Sequence, residues 1–207
     1  MNNFLMVTAS PRYTDSHSRM LSDRFAALVR GRYPEAILVD RDLVADPPPM
    51  LTNEMIHGFF RKPGLDQKQV TASLTVSDRY THELLSADCV VIATPMYNFN
   101  VPATLKAWID LVVRSGLTFE KVSDGQLRGL CKGKKAIVLC SMGGWFAKKQ
   151  INLVEPYLCL VGDFIGLEEV EFVYIEGTAT ATFDQEKALL AAEVQMQKFI
   201  EDGVPTT

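Results

Sequence analysis

Apolar residues along this chain fall into short continuous runs separated by stretches with helical spacing. The run Phe4–Ala9 (FLMVTA) ends at Ser10-Pro11 and reads as a strand buried on both faces. Ala36–Asp40 (AILVD), Cys89–Thr94 (CVVIAT) and Val170–Ile175 read as further strands, and Ala136–Cys140 (AIVLC) as another buried one. Between them lie helical patterns. One carries Leu21, Phe25, Leu28 and Val29 on a single face and stops at Gly31 and Pro34; another is predicted over Gln67–Ser86. A third begins after Asn100, placed as N-cap with Pro102 in the first turn, and buries Leu105, Trp108, Ile109 and Val112. A fourth lies near Pro156–Ile165 and ends at Gly166. A terminal helix, capped by Thr182-x-x-Gln185, turns Leu189, Ala192, Met196 and Phe199 inward. Thr118–Gly129 reads as a hairpin around Asp124-Gly125. Residues 41–66 hold the Pro47–Pro49 tract and little periodicity, which predicts an irregular excursion whose Leu51, Met55, Ile56, Phe59 and Phe60 need a packing surface. Lys106 and Asp110 are spaced for an i,i+4 pair.

Five strands alternating with helices predict an α/β protein: a doubly wound five-stranded parallel sheet with helices on both faces and right-handed crossovers. No repeat or composition shift divides the chain, so residues 1–207 are expected to form a single domain. In such sheets ligands bind at the carboxyl ends of the strands, near the switch in strand order. Three loops fall there: Ser10–Ser18, Pro95–Asn100 and Ser141–Gly144.

Composition narrows the chemistry. The 207 residues carry 21 Lys and Arg against 25 Asp and Glu, a net charge of −4, so no basic face for nucleic acid is expected. No apolar run is long enough to span a bilayer, and the start, Met1-Asn2-Asn3-Phe4, lacks the basic residues of a secretory signal. Cys89, Cys131, Cys140 and Cys159 show no C-x-x-C spacing and read as reduced thiols of a cytoplasmic protein. With three scattered His, neither a metal site nor Cys/His catalysis is expected. Familiar phosphate loops are missing too. No two glycines are separated by one residue, and Arg128 stands where a Walker loop before Gly133-Lys134 needs glycine. No C-x5-R occurs, and His82-Glu83 is followed by Ser86 where a zinc protease needs a second His.

The first loop is instead rich in hydroxyls: Ser10, Thr14, Ser16 and Ser18, interleaved with Arg12, His17 and Arg19. At a helix N-terminus these could hold a phosphate through side-chain and backbone donors, or serve only as caps. Pro95-Met96-Tyr97-Asn98-Phe99-Asn100 places large apolar side chains where loops are usually polar, either to cover a flat ligand or to pack on the core or an interface. Ser141-Met142-Gly143-Gly144 allows close backbone approach. Together the three describe a phosphate anchor beside a planar aromatic ligand.

The string Pro95–Asn100, followed by Pro102 and Leu105-Lys106, resembles the flavin loop of the FMN-dependent NADH azoreductases, flavodoxin-like enzymes also described as NADH:quinone oxidoreductases. Ser10 with Ser16-His17-Ser18, Gly133-Lys134-Lys135-Ala136, Ser141-x-Gly143-Gly144, Pro156-Tyr157-Leu158 and Phe164-Ile165-Gly166 match in order. The resemblance implies a homodimer with one FMN per subunit at the interface. It also implies ping-pong transfer, in which NADH or NADPH reduces FMN and a quinone or azo compound takes the electrons. Ser10, Ser16, His17 and Ser18 would hold the phosphate. Pro95, Met96, Tyr97, Asn98 and Phe99 would line the isoalloxazine, and Ser141, Met142, Gly143 and Gly144 would face its pyrimidine edge. No side chain is assigned as catalytic acid or base, because the cofactor supplies the redox chemistry. Two departures touch the substrate face: Met142 where the family often has Arg, and Glu120-Lys121 where it often has an aromatic residue. The competing class is a flavodoxin-type electron carrier, which uses the same fold and cofactor without a small-molecule substrate. A flavin-free domain of that fold is a third reading.

Overall fold

The computed structural model describes residues 3–60, 64, 66–123 and 125–202. Its strands grow from the apolar runs. β1 (Asn3–Thr8) leads through a loop into α1 (His17–Arg32), then β2 (Ile37–Asp42), α2 (Asn53–Phe59), α3 (Gln67–Ser86) and β3 (Cys89–Pro95). α4 (Ala103–Val112), a hairpin of β4 (Phe119–Lys121) and β5 (Leu127–Gly129), β6 (Lys135–Ser141), α5 (Val154–Ile165), β7 (Glu169–Ile175) and α6 (Gln185–Glu201) follow.

Five strands form one parallel sheet in the order β2-β1-β3-β6-β7. The order reverses direction between β1 and β3, which pair from Phe4↔Cys89 to Thr8↔Ala93. β3, with every residue buried, is central, and that burial is why its sequence is continuously apolar rather than alternating. Two apolar layers sandwich the sheet. Leu21, Phe25, Leu189 and Met196 of α1 and α6 cover one face; Tyr80, Leu105, Trp108 and Leu158 of α3, α4 and α5 cover the other. The sheet, its order and the helices on both faces match the predicted architecture.

Local expectations change at three places. Within 41–66 the chain forms α2, started by Thr52, whose hydroxyl accepts from the Met55 N–H at 3.3 Å. Met55 and Phe59 are buried as required, but Leu51 and Phe60 stay exposed. Asn100 is no helix cap: α4 begins at Ala103, and Asn100 Oδ1 accepts from the next residue's N–H at 2.8 Å. Thr182 is displaced as cap by Asp184, whose carboxylate accepts from Lys187 N–H at 3.0 Å; a charged acceptor two residues nearer the helix wins. The hairpin is present, although Asp124 of its turn lies outside the described residues.

That hairpin docks on the end of α5. Cys131 N–H donates to Ile165 O, and Gly166 ends the helix in the left-handed region at φ 89°. The approach is so close that a Cβ on Gly129 would sit 2.2 Å from the Gly166 nitrogen. Gly129→Ala should therefore cost about 1–3 kcal/mol in urea unfolding, the penalty of forcing atoms into a packed contact. An unchanged midpoint would show that this backbone contact is not tight.

Candidate functional site

At the carboxyl end of β1 the chain must turn into α1, and it does so around hydroxyls. Ser10, Ser16 and Ser18 are all buried, at 1%, 6% and 0% exposure. Ser16 Oγ donates to Ser10 Oγ at 2.8 Å and lies 3.4 Å from Ser18 Oγ. Ser16 is also the N-cap of α1, accepting from Arg19 N–H, so the cap and anchor readings coincide in one residue. The first-turn N–H groups of His17 and Ser18 have no carbonyl to reach within the helix, and no acidic residue occupies that turn. His17 adds a buried Nδ1 with no partner, its ring meeting Phe183 edge-on at 5.0 Å. Burial and then the Arg12 charge hold its pKa below the ordinary histidine value, against the pull of Asp15. The loop is a cradle of donors with an unsatisfied nitrogen beside it, the chemistry that receives an anion.

Arg19 fixes this cradle. Its Nε and Nη2 donate to Ser10 O at 3.1 and 2.7 Å, while Nη1 donates to Asp42 Oδ2 at 2.7 Å. Asp42 ends β2 and also accepts from Val44 N–H at 2.9 Å. Burial alone would raise the Asp42 pKa, but the hydrogen bonds from Arg19, Val44 and Ala45 outweigh it and hold the carboxyl below its usual range.

Across the switch point, Pro95 is buried and Met96 half-buried, its N–H donating to Ser141 O at 2.8 Å. Tyr97 and Asn100 then exchange two backbone hydrogen bonds, of 2.9 and 3.1 Å. The residues between them, Asn98 and Phe99, both have positive φ, 48° and 71°. This is a two-residue turn of the mirror type, which prefers Asn-Gly. Phenylalanine in the left-handed region costs about 1–2 kcal/mol, and such strain concentrates at ligand sites. The turn leaves Tyr97 and Phe99 exposed at 40% and 49%, with Phe99 meeting Phe146 edge-on at 6.1 Å. Tyr97, Asn98 and Pro102 line an open groove of about 680 Å3 whose other wall is Ala9, Pro11, Val44 and Pro47.

The third loop follows β6. Ser141 and Met142 are buried and Gly143 is exposed. Met142 corrects the expectation of a substrate-face position: at 1% exposure its side chain packs in the core, so only its main chain belongs to the rim. A segment after β7 that sequence reading did not single out holds this loop in place. Gly177, Thr178 and Ala179 donate backbone N–H groups to Gly144, Met142 and Gly143 carbonyls at 3.0–3.1 Å. On the hairpin, Glu120 pairs with Arg128 at 3.0 Å and Lys121 is exposed.

The fold thus brings all three loops to one rim, with the serine cradle and the strained turn on either side of the switch point. Arg19, Asp42, Phe146, Thr178 and Phe183 join them without having been predicted as site residues. Among the described residues, no group of three or more His, Cys, Asp or Glu could hold a metal ion. Burial pushes the Cys131 thiol up to about 11 and raises Cys89 and Cys140 further, so these thiols stay protonated.

Sheet order and rim define a doubly wound α/β protein with a cradle of buried hydroxyls at its first crossover. The chain belongs to the family of flavodoxin-like fold, whose model matches residues 2–200. A protein of Beijerinckia indica named FMN-dependent NADH:quinone oxidoreductase is 42% identical over 180 residues, covering 86% of this chain and 89% of that one. One of the same name from Azotobacter vinelandii is 38% identical and covers 95% of this chain and 98% of its own length. The crystal structure of an azoreductase from Bacillus anthracis superposes with a TM-score of 0.87 at 27% identity, covering 98% and 100% of the two chains.

The Arg19–Asp42 clasp makes stability depend on acid. Because the folded pKa of Asp42 is lowered, its contribution is present above the unfolded carboxylate value of about 4 and is lost as pH falls through the folded value. Wild type should melt higher than Asp42→Asn at neutral pH, and the gap should close below about pH 4. A gap that is constant down to pH 2 would exclude the charge on Asp42 as its source.

Proposed function

We propose that this chain is an FMN-dependent NAD(P)H oxidoreductase that reduces quinones and azo compounds. The observation that carries the reading is the pairing of three buried serine hydroxyls at the start of α1 with the strained Tyr97–Asn100 turn across the switch point. The names and coverage of its relatives support the same activity. The residues fit FMN. Ser10, Ser16, His17 and Ser18 would hold the phosphate, and the unpartnered His17 Nδ1 is a group such an anion would satisfy. Pro95, Met96, Tyr97, Asn98 and Phe99 would flank the isoalloxazine. Ser141, the Met142 main chain, Gly143 and Gly144 would meet its polar edge. Bound there, FMN supplies the capacity to accept two electrons from NADH or NADPH and to pass them to a quinone or azo acceptor.

What the protein's own residues do is bind and orient. Buried hydroxyls fix the anionic end against a helix start, the stiff turn presents apolar faces, and the loop after β7 locks the glycine pair. No side chain need transfer a proton, since acceptor protons can come from solvent.

The chain is read as one domain, since both apolar layers pack on a single sheet. A homodimer is favoured by exposed Trp145, Ile151, Leu153 and Leu160, apolar side chains on α5 and the segment before it. Four free cysteines fit the reducing cytoplasm. Among the described residues, no helix is long and apolar enough to cross a membrane.

Initial rates with NADH and a quinone should give parallel double-reciprocal lines; intersecting lines would reject two separate half-reactions. Ser18→Ala should weaken FMN binding about tenfold, the scale of a hydrogen bond to a charged group, and leave riboflavin binding unchanged. Equal losses for the two would remove the serine cradle as phosphate anchor.

A further inference from the structure

A second cleft lies apart from the rim loops and shares no residue with them. It occupies about 600 Å3 between α2, α3 and the segment after α4, with His57, Phe59, Val70, Leu74, Arg114 and Leu117 in its walls. Arg114 is the unusual member. It is 6% exposed, and its guanidinium carbon lies 4.2 Å from the centre of the Phe59 ring. One nitrogen is employed: Nη1 donates to Ser77 Oγ and, at 3.0 Å, to Asp78 Oδ1. Nε is buried without a partner, and so is Nδ1 of His57 on the same cleft. Asp78 is 56% exposed at its side chain, so solvent weakens its hold on the arginine charge.

A buried guanidinium N–H without an acceptor is costly, and native structures rarely leave one unexplained. The free Nε edge of an arginine is one of the geometries that pair with both oxygens of a carboxylate. Around it, Phe59, Val70, Leu74 and Leu117 offer an apolar surface suited to a hydrocarbon body. We propose that this cleft is a second binding site, for a small organic carboxylate with a flat apolar body. Arg114 grips the carboxylate through its Nε edge, and His57 gives a second donor in the tautomer protonated at Nδ1. This site does not rest on the redox reading; it stands or falls on residues outside the FMN cradle.

Benzoate is the probe, titrated calorimetrically into the full-length protein as purified, with flavin content measured on the same sample. Saturable one-site binding is expected, and benzyl alcohol, the same ring without the charge, should bind at least about tenfold more weakly. His57→Ala and Arg114→Lys should each weaken benzoate by about tenfold, whereas Tyr97→Ala should leave it unchanged. If Arg114→Lys fails to fold, the His57→Ala result decides. Absence of saturable binding, equal affinity for benzyl alcohol, or a loss in Tyr97→Ala but not in His57→Ala would overturn the proposal. A flavin-free preparation that takes up no added FMN yet still binds benzoate would contradict the redox reading alone.

Discussion

One arginine sets the shape of the rim. Arg19 reaches back from α1 to hold the Ser10 carbonyl with two nitrogens and forward to hold Asp42 at the end of β2. Those two points are the carboxyl ends of neighbouring parallel strands, where the ladder stops and the backbone would otherwise be free to drift. With Ser10 pinned, its hydroxyl is placed to accept from Ser16, and Ser16 is placed to cap the helix. An anion site built from helix N–H groups and hydroxyls works only if its donors already converge, since each contributes little alone. The clasp supplies that convergence.

On the other side of the switch point the ordering device is backbone strain. Two non-glycine residues with positive φ are held by a closed pair of hydrogen bonds, so Tyr97 and Phe99 remain on the surface. Their exposure has a cost in a free monomer, as has that of Trp145, Leu153 and Leu160. A planar ligand and a second subunit would cover this kind of surface, and both reduce the same liability. The second cleft differs in kind. Its apolar walls surround donors rather than a backbone cradle, which suits recognition of a charged group on an organic body.

Much of this was legible in the sequence because the strongest signals are periodic. The buried strands declare themselves as apolar runs, and a twenty-residue helix such as Gln67–Ser86 offers enough turns to be found and roughly bounded from its period. α2 is seven residues long, too short for a period to rise above the surrounding prolines. Caps failed where two acceptors competed: Thr182 lost to Asp184, and Asn100 was drawn into the turn with Tyr97. The three rim loops could be picked out because parallel topology places them together. The clasp between Arg19 and Asp42 could not, since nothing local marks a pair twenty-three positions apart. Nor could the inward turn of Met142, which depends on how the loop after β7 hydrogen-bonds to it.

The central claim is that this rim binds FMN and uses it to move electrons in two separable halves. The direct measurement is anaerobic mixing of the FMN-loaded protein with NADH alone, followed by a quinone, while the flavin absorbance is recorded. Bleaching is expected in the first mixing, before any acceptor is present, and full return of the oxidised spectrum in the second. A spectrum that NADH leaves unchanged until the quinone is added would contradict it.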